Sequence, residues 1–252
     1  EGLHGKLHRR APAIVERRLV AGARPVFVGQ AHGIAKRVDL PFPLCHARLH
    51  VGLIGFRPFQ FRWRVRVLVK GVGVRIDQDE VTCGMVVNAA GAWSAQLAVT
   101  ADIELPIRPV RGQIVLTEAL PPTLNACLST TGCYLAQKAH GEVLVGSTTE
   151  NAGFDVSVTP DAITSLVQSS VRAVPALCDV GIKRVWAGLR PGTPDELPIL
   201  GPVSGRAGYI NATGGFRTGI VASPLTGKVV AQCAVGEDTD VDMGPFLMDR
   251  FG

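Results

Sequence analysis

Two arginines set among glycines are the residues best placed to do chemistry. Arg217 lies in Tyr209–Gly227, YINATGGFRTGIVASPLTG, and Arg190 in Trp186–Pro191, WAGLRP. In the longer stretch, Tyr209 to Ala212 reads as the end of a short strand. Gly214, Gly215 and Gly219 then supply a turn in which the backbone can come close to a ligand. Ser223 is the expected N-cap of a following helix, Pro224 its first residue, and Leu225, Val229, Val230 and Cys233 recur at helical spacing. A strand, a glycine turn carrying an arginine and a helix N-terminus offer N–H donors and a positive dipole end, which suits an anion or an electron-rich ring. An ordinary strand-to-helix turn would use the same residue types.

Other reactive types are less well arranged. His4 with His8 and His46 with His50 have the i,i+4 spacing of helical metal ligands, but neither pair has a nearby carboxylate or third ligand, so no metal site is expected. The six cysteines are scattered with no C-x-x-C pair and are expected as reduced, mostly buried thiols. Residues 1–70 hold 14 Lys and Arg against three acids. From Phe59 to Val67 the pattern alternates strictly, with Phe59, Phe61, Trp63, Val65 and Val67 on one face and Gln60, Arg62, Arg64 and Arg66 on the other. That is a half-buried strand whose aromatics point away from its arginines, so no stacking platform for nucleic acid forms.

The elements that must hold the arginines are legible from about residue 72 onward. With 252 residues and 46% hydrophobic residues the chain can bury a sizeable core in one large domain or two small ones. No apolar run approaches the roughly 20 residues of a spanning helix, and a soluble, cytoplasmic protein is expected. Ile14 to Ala21 suggests a helical piece, Val72 to Ile76 a strand and Asp77 to Glu80 a polar turn. Met85 to Asn88 reads as a strand buried on both faces of an α/β sheet, followed by small residues, Ala89 to Ala92, that leave room for a ligand at its carboxyl end. From Pro106 the texture changes. Strands at Gln113–Thr117, Tyr134–Gln137 and Val143–Ser147 and a helix at Pro160–Val174 suggest a largely antiparallel second domain inserted into the first.

The blocks VVNAAGAW (Val86 to Trp93), PIRPVRGQ (Pro106 to Gln113), Cys133-Tyr134, GEVLVGSTTE (Gly141 to Glu150), WAGLRPGTPDELPILGP (Trp186 to Pro202), ATGGFRTGI (Ala212 to Ile220) and PFLMDRF (Pro245 to Phe251) stand in order. Across about residues 84–252 the chain resembles the flavin-dependent amino-acid oxidase superfamily, above all glycine oxidases and the flavoprotein subunit of hydrogen cyanide synthase. The resemblance implies an α/β fold: a partial FAD-binding Rossmann-like domain with an inserted mixed or antiparallel β-sheet substrate domain. The expected division is a poorly defined basic segment at 1–37, part of the FAD domain at 38–105, the substrate domain at 106–185 and a return to the FAD domain at 186–252.

It also implies roles. Arg190 matches the arginine that clamps a substrate carboxylate, and Tyr134 a pocket tyrosine that can hydrogen-bond the same group. Arg217 and the backbone of Gly214, Gly215, Phe216, Thr218, Gly219 and Ile220 match the segment against the flavin's pyrimidine edge. Ala90 and Gly91 match small residues near the cofactor's phosphate and ribose, and Val65 a strand residue at its adenine end. The implied reaction is oxidation of glycine or another small amino acid or secondary amine, with hydride passing from the α-carbon to FAD. Partner oxidoreductase subunits, and membrane association through them, belong to the same expectation. Two departures accompany it. The family's opening G-x-G-x-x-G is absent, Gly71-Val72-Gly73 being the nearest approach, and Gly215 stands where relatives usually carry histidine. The chain is therefore expected to be N-terminally truncated, and a non-catalytic remnant of the family is the second reading.

Overall fold

The computed structural model describes residues 25–29, 65–68, 73–76 and 79–252. The histidine pairs, the Ile14–Ala21 helix and most of the Phe59–Val67 strand lie outside the described residues. Among those described, three sheets form. The first has the order β1 (Pro25–Gly29), β5 (Met85–Ala89), β12 (Arg206–Thr213), β11 (Ile199–Val203). β1 and β12 run parallel to β5, and β11 antiparallel to β12. The segment 1–37, expected to be undefined, thus contributes a strand in register from Pro25↔Met85 to Gly29↔Ala89.

The apolar run behind β5 is buried on both faces, as its pattern requires. Val86 packs with Leu97 and Ala98 of α1 (Ser94–Val99), whereas Val87 packs with Val229 and Val230 of α3 (Gly219–Val235). Alternate side chains of one strand therefore serve two layers, which gives the helix–sheet–helix arrangement. A three-stranded meander, β2 (Val65–Leu68), β3 (Gly73–Ile76) and β4 (Asp79–Thr82), adds Val74 to the α1 side of this core. Asp79 and Glu80, expected in a turn, open β4, where Glu80 accepts a hydrogen bond from Arg75 Nε at 2.8 Å.

The third sheet is antiparallel, in the order β10 (Ile182–Gly192), β6 (Arg108–Ala119), β9 (Glu142–Gly146), β8 (Tyr134–Gln137), β7 (Leu128–Ser129). Its Val115, Leu135, Val143 and Val145 form a core with Leu166 of α2 (Pro160–Ala173). α2 starts as expected, with Pro160 in its first turn beside Asp161. The boundary expected at residue 186 falls inside β10, which stays paired to β6 as far as Gly192↔Arg108. Two cysteines depart from expectation: Cys127 and Cys178 are exposed, because both lie in surface connections.

Candidate active site

Strand periodicity puts both predicted clamp residues on one face of the antiparallel sheet. Val143 and Val145, at odd positions of β9, turn to α2, so Gly146 belongs to the opposite face. Gly146 is paired with Tyr134 of β8 and Ile114 of β6; Ile114 is paired with Trp186 of β10, and Arg190 with Val110. The Arg190 guanidinium donates from Nη2 to Ser147 Oγ at 2.5 Å and from Nη1 to the Thr148 carbonyl at 3.2 Å. Among the described residues no carboxylate lies within ion-pair distance of it. Burial lowers its pKa; the Tyr134 phenol opposes that shift and the charge of Arg217 adds to it. A half-buried guanidinium satisfied only by neutral oxygens still lacks a counter-charge, and an anion supplies one.

Arg217 reaches the same place from the other sheet. β12 ends at Thr213, and the chain turns through Gly214 at φ +77° and Phe216 at φ +36° before α3 begins. Gly214 is obligatory on two counts: its φ is positive, and a Cβ there would come within 2.8 Å of Thr193 Cγ2 and 3.1 Å of the Ile199 nitrogen. A Cβ on Gly215, which takes the place of the expected histidine, would meet Gly219 Cα at 2.8 Å. The turn carries Arg217 over the Phe216 ring, 5.0 Å from its centroid, and Nη2 donates to Thr149 Oγ1 at 3.2 Å. Ser147, Thr148 and Thr149 therefore hold both arginines.

The helix start differs from expectation. Thr218, not Ser223, is the N-cap, and Pro224 lies inside α3. The Ala222 N–H already bonds to the Thr218 carbonyl, so the helical ladder is under way before Pro224. Pro224 cannot donate to Ile220, four residues back, but Ser223 Oγ does so at 2.8 Å. The helix tolerates its proline because the preceding hydroxyl replaces the missing donor. Leu225, expected to face the core, is 49% exposed, and Ile220 and Val221 are exposed beside it. Among the described residues no side chain caps this N-terminus, and no acid lies in its first turn, so its free N–H groups retain their affinity for negative charge.

Ala90 and Gly91 follow β5 as expected, and Gly91 has φ +57°. A buried polar chain ties this turn to the one after β12. Asn88 Nδ2 donates to Tyr209 Oη at 2.8 Å and to the Ser94 carbonyl at 3.0 Å, Ser94 Oγ donates to Thr213 Oγ1 at 2.9 Å, and Thr213 Oγ1 donates to the Gly91 carbonyl at 3.1 Å. The carboxyl ends of β5 and β12 thus act as one rigid ledge. Val65 opens β2, a different element of the meander, paired with Ile76.

Sequence reading missed what anchors residues 147–150. On the α2 side of β6, Arg111 and Gln113 converge on Glu150: Arg111 Nε and Nη2 donate to Glu150 Oε2 at 2.9 and 2.6 Å, and Gln113 Nε2 donates to Oε1 at 3.0 Å. Arg111 also pairs with Asp155 at 2.5 Å, and Thr148 Oγ1 donates to Glu150. Burial would raise the Glu150 pKa, but hydrogen bonds from Thr148, Arg111 and Gln113 and the charge of Arg111 outweigh it and hold the carboxyl below its usual range. The signal was present in Arg111-Gly112-Gln113, where alternation puts two long polar side chains on one face of a strand.

Known proteins resemble this chain in sequence and in fold. The sequence profile of the FAD dependent oxidoreductase family, DAO, matches residues 59–233. A hydrogen cyanide synthase subunit, HcnC, of Pseudomonas protegens is 55% identical over 170 residues, covering 67% of this chain and 41% of the relative. Glycine oxidase of Pseudomonas putida is 35% identical over 211 residues, 84% of this chain and 56% of the relative. The crystal structure of glycine oxidase from Geobacillus kaustophilus superposes with a TM-score of 0.72 at 30% identity, covering 80% of this chain and 54% of that one. The chain spans about half the length of the relatives it matches.

Proposed function

We propose that this chain, which belongs to the FAD dependent oxidoreductase family DAO, carries the substrate side of a site that oxidises glycine or another small amino acid or secondary amine. The observation that carries this reading is the Arg190 guanidinium, half-buried, without an acid partner among the described residues, and close to Tyr134 and Arg217. A planar guanidinium fixed at both Nη atoms is preorganised for a carboxylate, which takes two parallel hydrogen bonds in place of Ser147 Oγ and the Thr148 carbonyl. Tyr134 then adds a third donor.

The residues of the β12–α3 turn fit the pyrimidine edge of a flavin. Among the described residues a Cβ on Gly219 would meet nothing within 4 Å, and no side chain caps the helix start beside Arg217. Gly214, Gly215, Phe216, Thr218, Gly219 and Ile220 would hold that edge, with Ala90 and Gly91 on the joined ledge. When bound, FAD supplies an acceptor for the hydride leaving the substrate α-carbon. The chain's own contribution is placement: Arg190 and Tyr134 fix the carboxylate, so the α-carbon is held in one orientation. The substrate reacts with its amine neutral, and water hydrolyses the resulting imine. A partner oxidoreductase subunit belongs to this reading, since the relative HcnC is a subunit of hydrogen cyanide synthase, and either oxygen or such a subunit would reoxidise the flavin.

The test is a visible absorption titration of the purified chain with FAD, followed by dye reduction with glycine, sarcosine, D-amino acids and proline analogues. Flavin bands near one equivalent and dye reduction with at least one amino acid are expected. A chain that stays colourless contradicts cofactor binding, and a coloured chain inert to every amine contradicts the substrate class.

A further inference from the structure

The sheet beneath the clamp lacks side chains at two positions. Arg190 starts on β10, the edge strand, and its head lies over β6, whereas Tyr134 starts on β8 and its phenol lies over β9. The two heads thus approach each other across the central pair of strands. Beneath the guanidinium is Gly112, where a Cβ would stand 2.5 Å from Arg190 Cζ and nearer still to both Nη atoms. Beneath the phenol is Gly146, where a Cβ would stand 2.6 Å from Tyr134 Oη and 2.7 Å from Cζ. Neither glycine has a positive φ, so no left-handed backbone demands glycine at either place. Glycine inside a strand weakens it, and here that weakness occurs twice on adjacent strands under the two clamp residues. A Cβ on Gly188, paired with Gly112, would meet nothing within 4 Å among the described residues, so the crowding follows the arginine head and not the strand pairing.

We propose that Gly112 and Gly146 are positioning residues: by leaving out a Cβ they let the Arg190 guanidinium and the Tyr134 phenol lie against the sheet with their donors converging on one carboxylate. The inference rests on the carboxylate-clamp reading of Arg190. Arg111 and Gln113, the neighbours of Gly112, hold Glu150 from the other face, so β6 serves as seat on one side and anchor on the other. A methyl group at position 112 lifts the guanidinium and breaks its bonds to Ser147 and Thr148.

The probe is glycolate, a small carboxylate without an amine, titrated into the full chain and followed by the Arg190 Nε–Hε resonance, assigned by its loss in Arg190→Ala. The wild-type resonance is expected to shift saturably, and Gly112→Ala to bind glycolate about tenfold more weakly or worse, the equivalent of one charge-assisted hydrogen bond. A second measurement covers the case in which Gly112→Ala folds poorly. An Arg190→Ala background removes the three atoms that the added methyl would meet first, so Gly112→Ala should lower the melting temperature of Arg190→Ala much less than that of wild type. Equal glycolate affinity in wild type and Gly112→Ala overturns the inference, as does an equal loss of stability in both backgrounds. A wild-type chain that never shifts with glycolate overturns the clamp reading and this inference with it.

Discussion

Replacing Glu150 by alanine tests the anchor on which both arginines depend. Arg111 is 7% exposed, and Glu150 accepts two hydrogen bonds from it, at 2.9 and 2.6 Å. Asp155 remains in the variant and still accepts a hydrogen bond from Arg111 Nη1 at 2.5 Å, but its side chain is 53% exposed and its charge is screened. Breaking a fully buried pair costs about 3–5 kcal/mol. The Glu150 side chain is 26% exposed, so a loss of about 2–3 kcal/mol is expected after screening. That corresponds to a fall in melting temperature of roughly 4–12 °C for a domain of this size. The variant also removes the acceptor of Thr148 Oγ1, one of the tethers of the segment that carries Ser147, Thr148 and Thr149, while the Gln113 N–H still donates to Thr148 Oγ1 at 2.8 Å. Substrate affinity should fall along with stability, and Glu150→Gln, which keeps an acceptor oxygen, should recover part of both. Thermal melts and a KM comparison on the same samples supply the numbers. A melting temperature within about 1 °C of wild type would refute the claim that this carboxylate is an anchor.

Two smaller predictions follow from places outside the site. Arg250 holds the Asp195 pKa down to about 2, chiefly through a hydrogen bond from Nε at 2.7 Å. Because the folded value lies below the unfolded value near ~3.9, the stabilisation is present above about pH 4 and is lost as pH falls toward 2. Asp195 is 35% exposed, so screening limits its share to about 1 kcal/mol, and urea midpoints of Asp195→Asn and wild type should converge as the pH is lowered through this range. Gly227 is exposed inside α3 with nothing near its missing Cβ. Gly227→Ala should therefore raise stability by about 0.5–1 kcal/mol in a urea titration, and a lower midpoint would show that the α3 backbone needs glycine there.

What the sequence disclosed follows the range of the forces involved. The β5 run, the start of α2 at Pro160 and the strand at Tyr134–Gln137 were legible because local periodicity and turn chemistry decide them. β1 was not, since PVFVG sits in a basic segment and becomes a strand through parallel pairing with residues 60 positions away. The α3 start was misplaced because Ser223 and Pro224 suit a helix N-terminus, while the ladder that overrides them begins at Thr218. At the site, the arginines stood out through their glycine neighbours. The Glu150 anchor did not, because Arg111 and Gln113 meet it across 39 and 37 residues of chain. Gly112 and Gly146 were visible as letters, and their crowding against Arg190 and Tyr134 exists only in three dimensions.

The central claim is that Arg190 orients an amino-acid carboxylate for oxidation, and anaerobic bleaching of the flavin tests it most directly. The chain, loaded with FAD, is mixed with glycine or the best amine substrate, and loss of visible flavin absorption is timed for wild type and Arg190→Ala. Removing one partner of such a charge pair costs about 2–5 kcal/mol, so Arg190→Ala should keep its flavin spectrum yet bleach about 30-fold more slowly, or slower still, at low substrate. Bleaching at the wild-type rate in Arg190→Ala, or none in wild type with any amino acid, would contradict the account.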